Sequence, residues 1–126
     1  MSRIVWYGIV AILVALSLSL PAKADHGKLS ADTMQALFPG ATGYGTTSRG
    51  SSFEVKFSAN GTATVQAGSN FSDRGKWTIE DGNYCAQWGK IRNGNKGCWS
   101  VFHKSGDDYH LEGLDGVADD DIKIVK

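Results

Sequence analysis

The chain has 126 residues, carries 13 Lys/Arg against 13 Asp/Glu, and contains two cysteines. Its length suits one domain rather than two. Its even charge, without a basic cluster, argues against nucleic acid or an anionic membrane surface as partner.

Residues 1–24 read as a signal peptide. Arg3 gives a positive start, and residues 4–20 are apolar apart from Gly8, Ser17 and Ser19. Pro21 then breaks any helix, and Ala22-Lys23-Ala24 is a small-x-small cleavage signal. The alternative is a retained membrane anchor, but the apolar stretch falls short of the roughly 20 residues that span hydrocarbon. Cleavage after Ala24 leaves residues 25–126 as a single β-rich domain, with 11 Lys/Arg against 13 Asp/Glu. The membrane is then touched only through the signal peptide before cleavage.

Ser30 is a helix N-cap for a short amphipathic segment, residues 30–38. Leu29, Met34, Leu37 and Phe38 fall on one face, and Asp32 sits in the first turn where the helix dipole favours it. Pro39-Gly40 ends it. Residues 41–52 are rich in Gly, Ser and Thr and read as an irregular crossing. From Phe53 the period becomes two: Phe53, Val55 and Phe57 alternate with polar neighbours. A loop at Ala59-Asn60-Gly61 then sets Phe57 opposite Ala63 and Val55 opposite Val65. Residues 68–74 read as another loop. Strands follow at residues 76–80 and 83–88 around an Asp81-Gly82 turn, then at 98–103 and 109–114 around Ser105-Gly106-Asp107, and last at 122–125. Seven short strands joined by tight turns make an antiparallel meander. The expected fold is an all-β small barrel or strongly curved sheet, with the helix plugging an end or edge.

Cys85 and Cys98 lie on either side of a polar loop, and in an exported domain they are expected to form one disulfide. Pairing them across neighbouring strands fixes the faces. Trp77, Ile79, Tyr84, Trp88, Trp99, Val101, Tyr109 and Leu111 then line one side. Lys76, Thr78, Gln87, Ser100, His110 and Glu112 line the other. A one-residue slip would scatter the aromatic rings. A three-residue turn at Asp81 would instead invert the strand of Trp77. The closed loop of about 14 residues suggests a stabilisation near 3 kcal/mol.

Several short patterns recur together: Phe38-x-Gly40-x-Thr42, Asn60-Gly61-Thr62, Gly75-x-Trp77, Tyr84-Cys85-x-x-Trp88 and Cys98-Trp99-x-Val101. In these the chain resembles a family of small secreted proteobacterial proteins known only as a domain of unknown function, over residues 31–116. The resemblance implies an envelope protein with a lipocalin-like β-meander and no catalytic residues. Only Cys85, Cys98, Trp77, Trp88 and Trp99 carry over from it, in structural roles.

The aromatic face reads first as core, because Trp and Tyr each bury roughly 150–250 Å². The alternative is that rings near loops, namely Trp88, Trp99 and Tyr44, line a ligand pocket at a barrel mouth. Metal ligation has two weaker candidates. Asp115, Asp119 and Asp121 share an acidic stretch with Asp120 and Gly116, but without EF-hand spacing. His26, beside the new N-terminus, is of a kind that copper uses. His103 and His110 flank one turn and point to opposite faces in the preferred register. Nothing reads as an enzyme and no cofactor is expected. The expectation is an exported, non-enzymatic periplasmic module that binds a small molecule or an envelope protein. A structural or regulatory envelope protein working through a strand edge or aromatic patch is the alternative, and a metal-binding protein the third.

Overall fold

A strand with alternating apolar and polar residues has one dry face to bury, and antiparallel pairing can bury it by closing the sheet on itself. The computed structural model, which describes residues 27–46 and 50–126, forms such a closed barrel. The signal segment 1–24 and His26 lie outside the described residues. Eight strands run in chain order: β1 (Thr42–Thr46), β2 (Ser52–Phe57), β3 (Thr62–Ala67), β4 (Phe71–Glu80), β5 (Asn83–Trp88), β6 (Gly97–Ser105), β7 (Asp108–Gly113) and β8 (Asp120–Val125). Each pairs antiparallel with the next, and β1 pairs with β8 to close the ring.

The register follows the apolar pattern. Val55 faces Val65 and Phe57 faces Ala63. The two-residue Asp81-Gly82 turn sets Ile79 opposite Tyr84 and Trp77 opposite Ala86. Cys85 lies opposite Cys98 and is bonded to it, with their Cα atoms 4.0 Å apart. Val101 meets Leu111, and His103 meets Tyr109, so His103 and His110 lie on opposite faces as expected.

Successive strands alternate in direction, so the turns divide between two ends. One end carries the β2–β3, β4–β5 and β6–β7 turns and is sealed by helix α1 (Ala31–Leu37). Ser30 caps that helix, its hydroxyl accepting from the Thr33 N–H at 3.2 Å. Met34 and Phe38 are buried in the barrel floor. Phe38 stacks on Tyr84 with ring centroids 4.9 Å apart and meets Phe57 edge-on at the same distance. Backbone bonds fix the plug on both sides. Leu29 N–H donates to Val101 and His103 N–H to Gly27, extending the sheet past the end of β5, while Gly40 N–H donates to Phe57.

Two segments read as irregular in the sequence are strands. The first, β1, lies within residues 41–52, and its inward positions are Gly43 and Gly45. A Cβ there would stand 2.6 Å from the Ile122 side chain and 2.5 Å from the Phe53 ring, respectively. Glycine is needed because neighbouring side chains lean across β1, and it leaves that strand with no apolar alternation to read. The second is the start of β4, where Phe71 to Arg74 pair with β3 although the stretch is mostly polar. The barrel therefore has eight strands rather than seven.

The disulfide closes a short loop between adjacent strands, and such a constraint acts largely on the unfolded chain. Cys85→Ser is expected to destabilise the domain by about 2–4 kcal/mol. Denaturant unfolding of the two proteins measures the difference, and identical midpoints with and without reductant would contradict it.

Candidate ligand cavity

The end opposite the helix is where residues 68–70, 89–96 and 114–119 connect strands, and the barrel is hollow there. A cavity of about 360 Å³ descends from this mouth to the Phe38, Phe57 and Tyr84 rings. That volume lies at the lower end of the roughly 300–1,000 Å³ typical of small-molecule sites. Its walls are almost wholly apolar: Val55, Val65, Leu111, Ile122 and Ile124 below, with Phe53, Phe71, Trp88, Ile91 and Trp99 toward the mouth. Small barrels stay hollow when inward side chains do not meet across the axis. Here the helix fills the floor, where Phe38, Phe57 and Tyr84 pack together, and Trp99 stacks on Tyr84 without closing the space above it.

Two connections hold the rim. Asp73 accepts from the backbone N–H groups of Lys90 and Ile91 at 2.8 and 2.9 Å and from that of Arg74 at 2.8 Å. Burial alone raises this carboxyl, but the three N–H bonds outweigh it and hold it below the usual range. The clamp positions Ile91 and Arg92 at the mouth. Lys90 also lies 5.6 Å from the centre of the exposed Phe71 ring, a cation–π contact. On the other side, Trp99 Nε1 donates to the Ala118 carbonyl at 3.0 Å, and Asp119 Oδ1 accepts from the Gly113 N–H at 2.8 Å. The loop between β7 and β8 is thereby tied to the rim.

Besides the indole N–H groups of Trp88 and Trp99, three lining residues carry polar groups. Tyr84 is 5% exposed, and its ring is stacked by Phe38 and by Trp99 at 5.3 Å. Burial, reinforced by the Asp120 charge, pushes its phenol above the ordinary range, so it remains a protonated donor. Asp120 is in phase with Ile122 and Ile124 on β8, so it faces the interior from the mouth. Half-burial, aided by repulsion from Asp121, raises its carboxyl. Arg92 occupies a left-handed backbone position at φ 57° and sends its side chain across Gly97 toward Trp99. Among the described residues its guanidinium has no ion-pair partner.

Of the residues singled out from sequence, Trp88 and Trp99 line the cavity together. Tyr44 does not: it alternates with Gly43 and Gly45, projects from the outer wall and is 46% exposed. Asp119 and Asp121 meet at His110, Asp119 Oδ2 lying 3.6 Å from its Nε2, and Asp115 stands apart from them. Asp115 sits in a left-handed turn, Asp119 caps Gly113, and Asp121 bonds His110 Nδ1 at 2.7 Å. Among the described residues, no three His, Cys, Asp or Glu side chains are placed to hold a metal ion. In the sequence alone Tyr84 reads as core, Asp120 as part of an acidic turn and Arg92 as part of a polar loop. One signal could have found Asp120, since the alternation Asp120-x-Ile122-x-Ile124 puts a carboxylate in line with an apolar face. No protein family, curated protein or solved structure matches the chain.

A half-buried carboxylate facing an apolar wall is costly while charged, and its raised pKa gives the sign. Asp120→Asn is therefore expected to raise Tm at neutral pH. The gain should shrink as pH falls through the Asp120 pKa, because the native carboxyl is then already neutral. Thermal melts of the two proteins across pH 3–8 measure this, and an Asn variant less stable at pH 7 would contradict it.

Proposed function

We infer that this is an exported, non-enzymatic binding module of the periplasm that carries a small apolar molecule inside its barrel. The observation that carries the reading is the apolar cavity of about 360 Å³, sealed by α1 at one end and open at the other. An apolar hollow of this size gains free energy by releasing water to an apolar guest, roughly 25 cal/mol for each Å² buried. The clamped rim favours binding further, because a mouth already ordered loses little entropy when a ligand enters. The disulfide fits an oxidising, extracytoplasmic compartment, as the apolar start of the chain does. Closure also disfavours the reading as a strand-edge adaptor, since among the described residues every barrel strand is paired on both sides.

Trp88 and Trp99 make the site its own reporter. Titration with an uncharged hydrophobic dye such as Nile red is expected to quench or shift tryptophan emission and to saturate at one dye per chain. Val65→Phe, which adds a ring into the hollow, should abolish dye binding while the fold is retained, as judged by circular dichroism. A folded protein that takes up no dye, and from which organic solvent extracts no small molecule after purification from periplasm, would remove the carrier reading.

A further inference from the structure

Among the described residues, the one hydroxyl lining this otherwise apolar hollow has no protein partner. The Tyr84 hydroxyl belongs to a residue 5% exposed that lines the cavity, and no described residue hydrogen-bonds to it. Of the nearby tryptophans, Trp77 Nε1 donates to the Ser58 carbonyl at 2.9 Å and Trp99 Nε1 to that of Ala118 at 3.0 Å, while Trp88 Nε1 has no acceptor among the described residues. A buried hydroxyl normally finds a partner, because leaving it unpaired is costly. The Tyr84 ring cannot readily swing toward one, since Phe38 and Trp99 stack on it and Phe57 meets it edge-on.

The acceptor that lines the same hollow is the Asp120 carboxyl, which takes a backbone N–H from Asp121 and whose charge raises the Tyr84 phenol. A phenol donates and a carboxylate accepts. The single small group that serves both is a hydroxyl, which accepts from one and donates to the other. An anionic head placed between them would instead be repelled by Asp120. An alkyl chain alone would leave the Tyr84 hydroxyl unpaired and give the Asp120 carboxyl no further donor.

Resting on the carrier reading above, we propose that the barrel selects an uncharged lipophile bearing a hydroxyl group, an alcohol or phenol. Its oxygen accepts from Tyr84 Oη and its proton is donated to Asp120, while its apolar body fills the hollow among Val65, Leu111 and Trp88. Arg92 stands outside this pair, at the solvent-exposed rim, where screening weakens its hold on an anion.

The test uses four probes of similar size, octane, 1-octanol, octyl methyl ether and octanoate, titrated by tryptophan fluorescence against the native protein, Tyr84→Phe and Asp120→Asn. Comparing variants for each probe removes the difference in probe hydrophobicity, and Tyr84→Phe keeps the stacked ring. For 1-octanol, Tyr84→Phe should weaken binding about tenfold, the effect of one hydrogen bond lost in a dry site. Asp120→Asn should also weaken it, by less, because the amide oxygen still accepts. The ether, which accepts but cannot donate, should respond to Tyr84→Phe alone, and octane to neither variant. Alcohol affinity unchanged in both variants overturns the proposal while leaving the carrier reading intact. Octanoate binding tightest of the oxygenated probes and losing its affinity in Arg92→Gln also overturns it, in favour of an anionic ligand. Failure of every probe, octane included, to bind the folded protein sinks both readings.

Discussion

The whole arrangement depends on β1 being able to lie between β2 and β8. Without that strand the other seven would form an open sheet with two unpaired edges and no enclosed inside. The strand fits because its inner positions, Gly43 and Gly45, present no side chain where Ile122 and Phe53 already occupy the space. Glycine weakens a strand taken alone, since it adds conformational entropy and packs nothing. Here the loss is offset by pairing along both edges, with Tyr44 opposite Glu54 on one side and Lys123 on the other. Closure also removes the exposed edges through which sheets aggregate.

Once an inside exists, its division into filled and hollow parts follows from where large rings can be supplied. The helix inserts Met34 and Phe38 at one end only, and Phe57, Trp77 and Tyr84 gather around Phe38 by edge-on, tilted and stacked contacts respectively. These contacts build a floor in which rings fix one another's orientation. Toward the mouth no second α-helix enters among the described residues, and the short 3-10 segment Ile91–Gly94 supplies Ile91 and Arg92 to the lining. Trp99 is held by its stack on Tyr84 and its bond to Ala118, and Phe71 by Lys90; with Trp88 and Phe53 they line the space rather than fill it. The same residue types thus serve as core at one end and as wall at the other.

This explains how much of the molecule the sequence discloses. The Phe53–Phe57 hairpin, the disulfide register and the aromatic face were all legible, because each rests on period-two alternation with apolar residues in phase. β1 was not, since an inward face of glycine erases the signal that marks a strand. The first residues of β4 were hidden for a related reason: Ser72, Asp73 and Arg74 are polar, and Asp73 serves to hold the β5–β6 connection rather than to pack. For the site, the pattern assigned Trp88 and Trp99 to the inner face but could not say whether that face meets another ring or empty space. Tyr44 illustrates the opposite failure. Nearness to a loop in sequence suggested a mouth, yet alternation with Gly43 and Gly45 turns its ring outward.

The polar groups of the hollow show why function is the part of this molecule that stability cannot account for. A domain of this size keeps only a small margin between large opposing terms, so each unfavourable placement matters. Replacing Tyr84 by Phe would preserve the stacking on Phe38 and Trp99, and an apolar residue at Asp120 would continue the wall formed by Ile122 and Ile124. Neither polar group is therefore required by the packing around it. Positions where local physics prefers one residue and the chain carries another are where binding demands are met, and the departures are expected to cluster. Tyr84 and Asp120 come from strands far apart in sequence and reach the same cavity through barrel closure alone. An unpaired hydroxyl and a half-buried carboxyl lining one apolar hollow are harder to account for by packing than by a single guest that serves both.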